Sequence, residues 1–81
     1  MTTKKREAIM ACAMDLMDAY DNWLDADYME ELEEAVEKYN ICLKQLSRYT
    51  GKDKHAIASA LGNQNGVTYN LDWLRNLGVE I

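Results

Sequence analysis

Ile9, Ala13, Leu16, Tyr20 and Leu24 recur at spacings of three and four, which puts them on one stripe of a helix running from about Lys4 to Leu24. A second ridge, Met10, Met14 and Met17, runs beside that stripe and is expected to pack against the segment carrying Trp73. The pattern breaks at Asp25-Ala26-Asp27. Asp27 followed three residues later by Glu30 resembles a capping box and predicts the start of a second helix. Leu32, Val36, Tyr39, Leu43 and Leu46 carry that helix forward, and Gly51 predicts its end in a left-handed cap. Folding back at Ala26 sets Leu16 against Val36, Ile9 against Leu43 and Tyr20 against Leu32, so the two stripes predict an antiparallel hairpin.

Beyond Gly51 the elements shorten. Asp53 predicts the cap of a third helix carrying Ala56, Ile57, Ala60 and Leu61, and Gly62 with Asn63-Gln64-Asn65-Gly66 predicts a polar turn. Val67-Thr68-Tyr69 fits a brief extended piece, too short to build a sheet. Asn70 predicts the cap of a last helix through Trp73, Leu74 and Leu77, closed by Gly78, with Val79 and Ile81 folding back as the apolar contact. The expected fold is all-α: a long antiparallel helical hairpin with two short C-terminal helices in a small bundle, one domain over residues 1–81. A chain of this size buries roughly 60–65% of its unfolded surface, so stability leans on close helix packing or self-association.

Composition changes the picture mainly through charge. The chain carries −5, but residues 1–40 hold eleven acids against four bases, whereas residues 41–81 hold three acids against five bases. From Asp15 to Glu37 there are ten acids and no lysine or arginine. Such a concentration focuses negative potential and attracts a basic surface, although acids near helix starts also suit the helix dipole and solubility alone. No run approaches the roughly 18 apolar residues of a membrane span, which points to a soluble, cytoplasmic protein.

The residues that could carry chemistry do not assemble into a motif. After Asp25 and Asp27 the next alternate position is Met29, which breaks a calcium-loop pattern. His55 is the sole histidine, and Cys12 and Cys42 lie thirty residues apart, so no metal or other cofactor is expected. The two cysteines read as buried thiols, although a hairpin brings them to a similar level where a crosslink is geometrically conceivable. Catalysis is not expected, because no nucleophile has a base at a recognisable spacing.

Residues 46–61 resemble a helix-turn-helix. In that family a small residue stands four before the turn glycine and an aliphatic residue six after it, a spacing met by Ser47, Gly51 and Ile57. The resemblance implies that Lys54, His55, Ala58 and Ser59 face the major groove, with Lys44, Arg48 and Lys52 on phosphates. The implied reading helix contains no arginine.

Two further expectations follow from the charge. In the leading one, Asp18, Asp21, Asp25, Asp27, Glu30 and Glu34 steer the hairpin onto a basic protein surface, with Trp23 as the aromatic anchor. In the other, leftover apolar ridges make the chain a homodimer or a structural assembly subunit.

Overall fold

The computed structural model describes residues 2–63 and 70–81. Thr2 starts the first helix: its hydroxyl accepts the Lys5 backbone N–H at 3.2 Å, satisfying one of the donors a helix start leaves open. Helix α1 then runs Thr3–Asp25, and α2 follows as Met29–Thr50 after a turn of three residues. The Asp27–Glu30 capping box is not what begins α2. The cap position is Tyr28, which provides no side-chain bond, and Glu31 reaches back instead to accept the Asp27 N–H at 3.4 Å. The reach-back therefore serves a residue outside the helix, because α2 starts one residue later than the box requires.

Gly51 ends α2 in the left-handed region, at φ 71° and ψ 7°, with its N–H on the Ser47 carbonyl at 2.9 Å. The Ser47 hydroxyl donates to the Lys52 carbonyl at 2.6 Å and so ties the outgoing chain to the helix it has left. Helix α3, Lys54–Gly62, is capped by Asp53, whose carboxylate accepts the His55 N–H at 3.1 Å. Gly62 lies inside this helix rather than beyond it, and Asn63 closes it on the Ser59 carbonyl. The expected loop at Gln64, Asn65 and Gly66 and the extended piece at Val67-Thr68-Tyr69 lie outside the described residues.

Asn70 accepts the Asp72 N–H at 3.1 Å, one residue ahead of the cap position at Leu71, and α4 runs Asp72–Asn76. Its end is a complete Schellman motif. Gly78 donates to the Arg75 carbonyl and Val79 to the Leu74 carbonyl, at 2.9 and 3.2 Å, with Val79 and Leu74 both buried. The fold is an all-α bundle, with no strand among the described residues.

The core is eccentric. Ile9, Leu16, Met17, Leu46, Ile57 and Leu74 are fully buried, and the cluster they anchor takes residues 9–19 of α1 and 39–46 of α2 together with α3, α4 and Val79. Trp73 joins it through its indole N–H, 3.4 Å from the Met17 sulfur. That contact fulfils the expectation for one member of the methionine ridge, while Met10 and Met14 stay exposed. Toward the turn only α1 and α2 remain among the described residues. There Ala35 occupies the interior of α2, Leu32 and Val36 are half-buried at its flank, and Leu24 is 62% exposed instead of continuing the core stripe. An aromatic wedge fills the gap: Trp23 meets the Tyr39 ring edge-on at 5.3 Å between centroids and the Tyr20 ring at 6.3 Å.

Candidate functional site

Helical spacing decides which carboxylates meet. On α1, Asp18, Asn22 and Asp25 follow at intervals of four and three and share a flank. On α2, Glu31, Glu34 and Lys38 do the same. The antiparallel hairpin turns these flanks toward each other, and a cleft of about 410 Å³ opens between Asn22 and Asp25 on one side and Glu31, Glu34 and Lys38 on the other. Ala35 also lines it, buried to 5% exposure, and its methyl group leaves room that a larger side chain would occupy.

Of the expected partner-binding residues, the structure brings Asp25 and Glu34 together in this cleft. Asp18 is exposed one turn below Asn22 on the same flank, and Asp27 and Glu30 are exposed at the turn and in the first turn of α2. Asp21 is half-buried, in line with Met10, Met14 and Met17 and one turn before Asp25, and it does not line the cleft. Trp23 is 39% exposed, with one side committed to Tyr20 and Tyr39. Sequence pattern alone does not single out Asn22, Glu31, Ala35 or Lys38. Two signals were available for them: Glu31 stands four residues after Asp27, and Lys38 four after Glu34, the favourable order for a carboxylate and an ammonium on a helix.

The other end of the hairpin carries the basic residues. A second groove of about 420 Å³ between α2 and the start of α3 is lined by Asn40, Leu43, Lys44, Lys54 and His55. Arg48 and Ser59 are exposed outside its lining, and Lys52 is half-buried, its ammonium 3.4 Å from where a side chain at Gly78 would begin. Ala58, implied by the helix-turn-helix resemblance to face a groove of DNA, instead packs against the core, so the open face of α3 is narrower than that resemblance implies. Gly51 has a positive φ and Ile57 is fully buried.

No family profile matches the chain, and neither curated proteins nor solved structures give a significant match. Its chemistry is therefore read from its own side chains. Among the described residues, no three His, Cys, Asp or Glu side chains gather in a group able to hold a metal ion. No helix there is long and apolar enough to cross a membrane.

Cys12 and Cys42 are both free thiols and both buried, and the Cys12 Sγ–H donates to the Cys42 carbonyl at 3.3 Å. Burial pushes the Cys12 thiol up from 9.0 to about 11, with the Cys42 thiol and the Asp15 carboxylate adding to the effect. Cys42 is raised by burial and by Asp15, against an opposing pull from Lys38. A buried thiol with a raised pKa is a poor nucleophile, because the thiolate is the reacting species. Tyr39 is likewise raised, by burial first and by Tyr20 second.

Proposed function

We propose that the protein acts by binding, without catalysis, and that its acidic hairpin docks on a basic surface of another protein and occludes it. Small inhibitors from phages and mobile elements block nucleic-acid machinery in this way, and the comparison is one of chemistry alone. The carrying observation is the cleft where Asp25 of α1 meets Glu31 and Glu34 of α2, open to solvent with one ammonium beside three carboxylates. Asp18, Asp27 and Glu30 extend the negative field around it, and the residue set for contact is completed by Asp21 and Trp23. Exposed charges of one sign steer association and set its salt dependence more than they set affinity.

The test is anisotropy of a labelled Lys/Ser peptide titrated with the protein at about 50 mM and about 200 mM salt. The reading predicts binding that salt weakens and that Asp25→Asn with Glu34→Gln reduces several-fold. No binding at low salt, or binding indifferent to the double substitution, refutes it.

One observation favours a second reading. Lys44, Lys54 and His55, three residues of the helix-turn-helix expectation, line one groove at the α2–α3 junction. On that reading the protein is a DNA-binding regulator, and its affinity for a mixed-sequence duplex falls steeply between the same two salt concentrations. Lack of duplex binding at about 50 mM salt sinks it.

A further inference from the structure

The hairpin tip breaks three local rules at once. Leu24, Tyr28 and Met29 are 62%, 72% and 69% exposed, although they stand within six residues of one another and a small bundle has every reason to fold such groups inward. Tyr28 occupies the cap position of α2 with no side-chain bond, while Asp27, a far better cap, stands one residue too early. Asp25, Asp27 and Glu30, all exposed, interleave with these apolar residues along the turn and give the tip like charge. Where local rules fail together on a surface, function is the common reason.

That charge decides what can cover the tip. Nucleic acid and an anionic membrane are repelled by it, and so is the same tip of a second copy. An apolar centre within a charged rim is the anatomy of a protein interface, in which a buried anchor supplies affinity and the rim fixes orientation. We infer that Leu24, Tyr28 and Met29 insert into an apolar pocket rimmed by lysine or arginine on the partner protein, with Asp25, Asp27 and Glu30 meeting that rim. This inference rests on the acidic docking reading and adds an apolar anchor that charge alone does not require.

Two labelled peptides separate the two claims: a helical Leu/Lys peptide with one apolar and one basic face, and the Lys/Ser peptide of equal charge. The protein is expected to bind the Leu/Lys peptide about tenfold more tightly than the Lys/Ser peptide, the scale of one buried anchor. Leu24→Ser and Tyr28→Asn should each erase most of that preference and leave the Lys/Ser affinity unchanged. Both positions are exposed, and Tyr28→Asn also improves the helix cap, so at least one variant keeps the fold, which circular dichroism verifies. Equal affinity for the two peptides, or a preference that survives both variants, overturns the anchor while the docking reading stands. Failure of both peptides to bind removes the docking reading and the anchor with it. Concentration-dependent self-association abolished by Leu24→Ser would also overturn the inference, by assigning the tip to a second copy.

Discussion

Three glycines provide a controlled measurement of backbone conformation, because an added methyl group meets almost nothing at any of them. Among the described residues, a Cβ at Gly51 or Gly62 has no neighbour within 4 Å, and at Gly78 it meets the flexible Lys52 ammonium at 3.4 Å. Packing therefore drops out of the comparison and backbone geometry remains. Gly51 and Gly78 have φ of 71° and 92°, whereas Gly62 is helical. An L residue in the left-handed region costs roughly 1–2 kcal/mol, and the entropy that alanine removes from the unfolded chain returns about 0.4–1 kcal/mol. Gly51→Ala should thus destabilise by about 1 kcal/mol, and Gly78→Ala by somewhat more, since 92° lies further from the left-handed minimum. Gly62→Ala should stabilise by about 0.5 kcal/mol, as a better helix former in a helical position. Asparagine, which tolerates this region, should recover part of the loss at Gly51. In a domain of this size 1 kcal/mol moves Tm by about 4–8 °C, so thermal melts and urea titrations followed by circular dichroism resolve the signs. A stabilising Gly51→Ala, or a Gly62→Ala as damaging as the other two, would show that the junctions are not built as described.

Other consequences are as open to measurement. Leu46→Ala empties a fully buried position at the centre of the core and should cost about 2–5 kcal/mol by urea denaturation; a loss below 1 kcal/mol, on the order of a surface change, would contradict its placement. Tyr28→Asn should raise stability by about 1 kcal/mol, the usual worth of an N-cap bond, and an unchanged Tm would argue against Tyr28 as the cap residue. Because the native state holds the Cys12 proton more tightly than the unfolded chain, that group's contribution to stability is complete below pH 9.0 and is lost as pH rises toward about 11. Alkylation of the native protein by iodoacetamide should accordingly be slow at neutral pH and climb toward pH 11, with both thiols reacting at once in denaturant; a rate profile centred on 9.0 would refute the shift.

The long-range layout was legible because it rests on periodicity. The spacing of Leu16 and Tyr20, or of Leu43 and Leu46, allows only a helix, and Gly51 and Gly78 announce left-handed caps that the backbone adopts. What failed was local to the turn. Leu24 continues the period, but the third and fourth helices gather at the far end, and among the described residues it stays 62% exposed, outside the core cluster. Asp27 and Glu30 have capping spacing, yet the chain uses Tyr28, which no cap preference predicts. The site was half legible for a related reason. A run of acids can be counted along the chain, but the count does not show that Asp25 lines the cleft while Asp21, one turn before it, does not, and the cleft depends on Ala35, which carries no charge to notice.

The eccentric core makes the hairpin two materials joined end to end. Amides around Leu16 and Leu46 lie where four helices meet, and their exchange with solvent requires the whole molecule to open. Amides near the turn sit on a two-helix arm closed chiefly by Trp23, Tyr20 and Tyr39, so they can exchange through fraying of that arm while the core stays intact. A partner gripping the tip would slow exchange along the arm and leave the core amides at their global limit. An arm of this kind, loose when alone and firm when held, would let a docking surface be tuned by evolution with little effect on the packing that keeps the chain folded.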